Sequence, residues 1–311
     1  MLIWLTGIVI AILIAIFTVS WLLSNLVIKP KIWDYDATFN EEVRKGAFNR
    51  ETYEKEYHPE EFTTASFDGC MIHGIVIPEK QGITNNTRKR IVIFAHGYSY
   101  SLFGSMKYVD IFYRLGFTCI LFDERGHGKS GKARTTMGYN EAKDIGAVVT
   151  WARARYGRDS MIGLHGESMG ASAVMTYAPT DPELSFVIED CGFSDLKEEL
   201  KYQLSHSYHL PEWPFLPLAS RLSYLRGGIL FQNLHPAQSV SACPVDLPML
   251  FIHGTADTFV PSSMVQINYE AKQGNKSIHL FEGSEHARSW FDQPQQYTEV
   301  VESFLRENHI I

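Results

Sequence analysis

Ser168 and His286 are the two residues of this 311-residue chain whose types and surroundings point to covalent chemistry. A serine hydroxyl is a poor nucleophile at neutral pH until a base takes its proton, and an imidazole, titrating at about 6.5 when unperturbed, can take it. A carboxylate behind the imidazole fixes its tautomer and stabilises the cation that forms. Two aspartates stand where such a carboxylate is wanted: Asp257, just beyond the apolar run 248–253, and Asp190, closing the run 186–188. Ser168 itself lies in Gly166-Glu167-Ser168-Met169-Gly170. Glycine two positions to either side leaves room for a sharp, strained turn that lifts the hydroxyl clear of the backbone. Alone the five residues are weak, because average glycine and serine usage produces the pattern by chance in roughly one chain of this length in ten. Their setting makes them specific. An apolar run at 161–165 comes before and the small residues Ala171, Ser172 and Ala173 follow, which is the strand, turn and helix that the arrangement requires. The implied chemistry is acyl transfer through a covalent serine ester. His253 and His279 fall within or against predicted strands and are expected to pack in the core.

Holding these groups together takes a sheet, and the chain has the strands for one. Apolar runs at 71–78, 90–95, 117–122, 161–165, 186–189, 248–253 and 277–281 are rich in Ile, Val, Leu and Phe. Most are continuous in apolarity, as strands buried on both faces are. Helix-length stretches separate several of them, notably 140–156, where Ile145, Val148, Val149 and Ala152 recur at helical spacing. The alternation predicts an α/β fold with a mostly parallel central sheet flanked by helices. Residues 195–238 break the rhythm with two helical stretches and no clear strand. An insertion there projects from the carboxyl end of a parallel strand, where ligands bind, and reads as a small helical cap. The expected organisation is a membrane-spanning helix at 1–28, a charged stalk at 29–60, a core at 61–192 and 243–311, and the cap at 193–242.

No charged residue stands between Leu2 and Ile28, and as a helix this run measures about 40 Å, enough to cross a bilayer with some tilt. A cleaved signal peptide wants a basic start, a shorter apolar stretch and a small-residue cleavage site. Here no Lys or Arg precedes the run, and Thr18-Val19-Ser20 is the one weak cleavage site. Membrane lipid is therefore an expected partner. Lys29, Lys31, Arg44 and Lys45 follow the helix, which by the positive-inside rule leans toward a cytoplasmic catalytic domain. The candidate catalytic residues all lie far beyond Ile28, so removing 1–28 is expected to leave the chemistry untouched.

A net charge of −7, with no basic run longer than Arg88-Lys89-Arg90, argues against a nucleic-acid partner. Four scattered cysteines without C-x-x-C spacing suit neither a disulfide framework nor a zinc site, and no H-E-x-x-H cluster calls for a metal. Residues 126–131 match G-x-G-x-x-G and contain Gly128-Lys129-Ser130. A dinucleotide site needs a helix to open at once, and a phosphate loop needs glycine where Asp123 stands. No cofactor is expected.

Four blocks in sequence, Phe94-Ala95-His96-Gly97-Tyr98, then Asp123 to Ser130, then the Ser168 turn, then Ile252-His253-Gly254-Thr255-Ala256-Asp257, with His286 after them, resemble the α/β-hydrolases. The resemblance is to the branch with serine aminopeptidase-like and monoacylglycerol-lipase-like enzymes, and it covers about four-fifths of the chain. It implies Asp257 as the acid, backbone N–H groups of Tyr98 and Met169 as the oxyanion hole, and a structural loop at 126–131. Serine at 168 sets the chain apart from members with a carboxylate nucleophile. The implied activity is hydrolysis of carboxylic esters of short or medium acyl chains, since one glycine after His96 and a bulky Tyr98 resemble the simpler loop of small-acyl enzymes. Two alternatives stand beside it: a membrane-anchored serine peptidase or aminopeptidase, with Glu167, Glu199 or Glu212 holding the substrate ammonium, and an inactive scaffold.

Overall fold

In the run 91–95, successive side chains fall alternately into two apolar clusters: Ile91, Ile93 and Ala95 into one, Val92 and Phe94 into the other. Residues 119–122 and 249–252 split the same way, as strands with a helix layer on each face must. The computed structural model describes residues 2–80, 82 and 88–311. Met1 of the expected anchor, and residues 81 and 83–87 of the expected core, lie outside the described residues.

The first half of the chain runs α1 (Leu2–Ile28), α2 (Tyr35–Lys45), α3 (Arg50–Thr52), β1 (Glu60–Ala65), β2 (Met71–Ile77), β3 (Arg90–Ala95), α4 (Met106–Arg114), β4 (Thr118–Phe122), α5 (Glu141–Tyr156) and β5 (Met161–Glu167). The second half runs α6 (Met169–Tyr177), β6 (Leu184–Asp190), α7 (Leu196–His206), α8 (Glu212–Gly227), α9 (Pro236–Ser241), β7 (Met249–Gly254), α10 (Ser263–Ala271), β8 (Lys276–Phe281), α11 (Ser289–Asp292) and α12 (Pro294–Glu307). One sheet has the order β1-β2-β4-β3-β5-β6-β7-β8. β1 and β2 are antiparallel to their neighbours, and every pair from β4 onward is parallel. The predicted mostly parallel α/β sheet is present. β1 is an addition: it is a polar edge strand whose single large apolar residue, Phe62, stacks on Trp151 of α5 at 4.0 Å between ring centroids, so its sequence carries little strand signal. His279 is not a core residue, because β8 is the opposite edge, and its ring meets Gln296 at 3.1 Å instead.

The segment read as a stalk is part of the body. Asp34 caps α2 by accepting the N–H of Ala37, Gly46 ends it at φ 78°, and Tyr35, Phe39 and Val43 pack on the core cluster that also takes in Phe48 and Tyr57. Phe39 and Tyr35 both reach Phe103, at 4.9 and 4.8 Å between centroids. Charge density hid this face, because the apolar residues at 35, 39 and 43 are spaced for a single helical stripe. The cap is also shorter than expected: α9 packs with α6 and α10, and Val240 lies in the main core.

The last two turns of α1 dock on α8, where Ser20 and Ser24 are fully buried. Ser24 and Ser223 share a hydrogen bond at 3.0 Å, and a methyl group at Gly227 would touch Ile28. Small residues at 20 and 24 of one helix, and at 219, 223 and 227 of the other, allow this close approach. If the segment around α2 is integral, Phe48→Ala lowers unfolding stability by about 3 kcal/mol. Urea unfolding of the full chain in detergent measures it; a detached stalk shifts by less than about 0.5 kcal/mol.

Candidate active site

Ser168 sits between the carboxyl end of β5 and the first turn of α6 at φ 55°, ψ −116°, a left-handed region that L-residues enter only under constraint. The constraint is visible on both sides. The N–H of Ser168 donates to the Asp190 carbonyl at 2.8 Å, and that of Ser172 donates to the Ser168 carbonyl at 3.0 Å. A methyl group at Gly166 would collide with the Gly170 carbonyl, and one at Gly170 with the Ala95 carbonyl of β3. Both motif glycines are therefore required by close backbone approach.

Three of the sequence-derived residues converge at this turn. His286 follows β8, and its Nε2 lies 2.9 Å from Ser168 Oγ. Its Nδ1 lies 2.7 Å from Oδ2 of Asp257, which follows β7. The other oxygen of Asp257 accepts the N–H groups of Phe259 and Val260 at 2.8 and 2.9 Å. Burial works against charge on Asp257, but hydrogen bonds from His253 and His286 outweigh it and hold the carboxyl well below the usual range. The alternative acid, Asp190, is elsewhere: its Oδ2 accepts from the hydroxyls of Tyr108 and Tyr297, both at 3.0 Å. Met169 is the first residue of α6, so its N–H has no intrahelical acceptor. Gly97 comes within 3.6 Å of Ser168 Cβ when given a methyl, which puts the loop carrying Tyr98 beside the same hydroxyl.

The family profile "Serine aminopeptidase, S33" matches residues 86–202. The uncharacterized protein YqkD of Bacillus subtilis is 33% identical over 249 residues, 77% of this chain and 81% of that protein. The chain belongs to the α/β-hydrolases, in the serine aminopeptidase family. Among solved structures, the Pyrococcus furiosus esterase Pf2001 superposes with a TM-score of 0.67 at 24% identity, covering 84% of this chain and 95% of that one. An esterase from Exiguobacterium antarcticum gives 0.58 at 18% identity, with 78% and 98% covered. This chain is a hydrolase of that fold.

In this α/β-hydrolase the glycine-rich block at 126–131 braces the loop that carries Tyr98. His96 donates from Nδ1 to its neighbour's carbonyl and accepts the Glu124 N–H at Nε2, 2.9 Å away. His127 accepts the Ser99 N–H at 3.1 Å. Both rings must be neutral to accept, and burial pushes both down, His96 to about 4. The Asp123 carboxylate takes N–H groups from Leu102 and Lys129 at 2.9 and 3.0 Å, so these donors are already engaged. Sequence motifs flagged these residues without revealing that histidine acceptors do the bracing. His253, expected in the core, is buried there but also meets Asp257 Oδ2 at 3.2 Å. Cys191 Sγ, the Asp257 carboxylate and a His286 ring nitrogen lie within 4.8 Å of one another. A cation could use this trio only by breaking the 2.7 Å bond between Asp257 and His286.

Two cavities meet at Ser168. One, of about 200 Å³, is mainly apolar and is walled by Leu23, Leu26 and Val27 of α1, Leu200 and Leu204 of α7, Leu216 and Ala219 of α8, with Tyr98 and Glu199. The other opens past His286 and is lined by Tyr100, Lys107, Glu167 and Arg288. The expectation that residues 1–28 stand apart from the site is thus corrected, because the docked end of α1 is a wall of the pocket. Of the three glutamates considered for an ammonium, Glu167 pairs with the buried Lys107 at 2.5 Å, and Glu212 pairs with Lys197 and Lys201 at the surface. Glu199 alone faces the apolar cavity, and burial raises its carboxyl to about 8. The folded chain holds this proton where the unfolded chain releases it. Its stabilisation is complete below about 4.5 and lost as pH rises through about 8. Glu199→Gln should therefore gain stability relative to the parent between about pH 5 and pH 8 and level off above; parallel urea melts that stay a constant distance apart contradict this.

Proposed function

We propose that this hydrolase cleaves carboxylic esters through an acyl-enzyme formed on Ser168. The supporting observation is the unbroken line Ser168 Oγ, His286, Asp257, at 2.9 and 2.7 Å, standing between an apolar cavity and a mixed one that carries Tyr100, Lys107, Glu167 and Arg288. Ser168 attacks the ester carbonyl while His286 Nε2 takes its proton, and Asp257 stabilises the imidazolium. The oxyanion faces the N–H groups of Tyr98 and Met169. On collapse, His286 protonates the departing alcohol, and a water activated by the same ring releases the acid. An acyl chain fits the apolar cavity, and the leaving group fits the other, where Tyr100 and Arg288 offer polar atoms.

A peptidase reading draws on the family name and on Glu199 in the cavity. A carboxyl held neutral up to about 8 is a poor counter-ion for a free ammonium at neutral pH, which favours the ester. We also propose that α1 stays attached as a membrane anchor, because residues 20–28 are built into the cap and removing them would uncover Leu216 and Ala219.

A single panel tests the ester reading. The parent should be labelled by a fluorophosphonate probe and should hydrolyse p-nitrophenyl esters in preference to aminoacyl anilides. Ser168→Ala should lose the label and essentially all turnover, and Asp257→Asn should lose about 10⁴-fold in kcat through loss of tautomer control. Asp190→Asn should lose far less. Absence of labelling in the parent supports a scaffold, and anilide cleavage with only trace ester turnover supports the peptidase.

A further inference from the structure

The exposed part of α1 and its docked part have different jobs. Residues 2–19 stand clear of the body and are exposed or nearly so, and at about 1.5 Å per residue they measure about 27 Å, close to the hydrocarbon thickness of a bilayer. Burial begins at Ser20. At that level Arg226 lies over the ring of Trp21, 3.7 Å from its centroid, and it also reaches Ser24 at 3.1 Å and Asn25. Tryptophan and a neighbouring arginine are side chains suited to the boundary between hydrocarbon and water. The cap beside this contact exposes apolar side chains: Tyr224 and Leu225 adjoin the residues of α8 that touch α1, and Leu225 is 78% exposed. Leu22 and Leu26 of α1 are exposed as well.

Leu26 lies at the join. It is half-exposed and also lines the apolar cavity that ends at Ser168, together with Leu23 and Val27. The carbonyls of the last helical turn have no partners within a helix, and here they are used by the site: Tyr98 donates its hydroxyl to the Leu26 carbonyl, and the N–H of Thr135 meets the Ile28 carbonyl at 3.3 Å.

We infer that the last two turns of the membrane helix form the lipid-side wall of the acyl pocket. The substrate is then an ester whose apolar acyl chain lies in the bilayer and reaches Ser168 along the face of Leu23, Leu26 and Val27. This rests on the ester reading above. Its own content is that residues outside the hydrolase domain set acyl-chain preference.

The test uses the full-length chain in phosphatidylcholine vesicles. Leu23→Trp, which fills the wall, should lower the ratio of kcat/KM for p-nitrophenyl dodecanoate to that for the acetate by about ten-fold or more. Leu23→Ala should shift preference toward longer chains, which keeps the inference testable if the tryptophan variant fails to fold. Ile12→Trp, on the exposed stretch, should change nothing. Placed in the enzyme's own vesicles, p-nitrophenyl hexadecanoate should turn over faster than when it is supplied in separate vesicles. An unchanged chain-length profile in both Leu23 variants, with the acetate still hydrolysed, overturns the wall. Equal rates from own and separate vesicles overturn the bilayer route. A parent that hydrolyses none of these esters removes the underlying reading instead.

Discussion

The chemistry proposed for this molecule depends on a steric bargain at residue 168. The left-handed conformation of Ser168 costs on the order of 1–3 kcal/mol, and it persists because the turn is fastened from both directions, by the Asp190 carbonyl on one side and the first turn of α6 on the other. That fastening works only if α6 can lie against β3 and β5 with no side chain between them, which Gly166 and Gly170 permit. The hydroxyl is then presented at the carboxyl edge of the sheet. The loops after β7 and β8 can reach it there, because β5, β6, β7 and β8 are consecutive neighbours in a parallel sheet.

Beneath the turn lies a buried polar floor. Lys107 pairs with Glu167 at 2.5 Å, Tyr108 bridges Glu167 and Asp190, and Tyr297 joins Asp190 to His165. Burial, then the nearby Glu167, raises Asp190 to about 6, while burial followed by Lys107 pushes His165 down to about 3. Buried polar groups of this kind depend on one another, and removing one member leaves its partners unpaired. The ammonium of Lys107 also donates to the Ala287 carbonyl at 3.3 Å. It therefore ties the loop bearing His286 to the residue preceding the serine, a link between elements more than a hundred positions apart.

The end of α1 makes a second long-range join. Its tight seat on α8 follows from small residues on both helices, and its last carbonyls are taken up by Tyr98 and Thr135. One consequence is structural: the loop proposed to supply an oxyanion donor is held in part by a helix that begins the chain.

The amino-acid sequence alone determined seven of the eight strands, the turn and the identities of the candidate reactive groups. Apolar runs of strand length, and glycines at fixed offsets from a serine, are local constraints that leave a local trace. The pairing of Ser168 with His286 was legible from type and order. The choice of Asp257 over Asp190 was not legible from the residues alone, since both close apolar runs; family resemblance favoured Asp257, and the geometry places Asp190 between two tyrosines instead. Tertiary structure alone decided that the charged segment around α2 packs on the core, that Glu199 faces the apolar cavity while Glu167 and Glu212 are engaged by lysines, and that the apolar N-terminal helix walls the pocket. In each case the sequence shows what a side chain is, while its role depends on which distant element is folded against it.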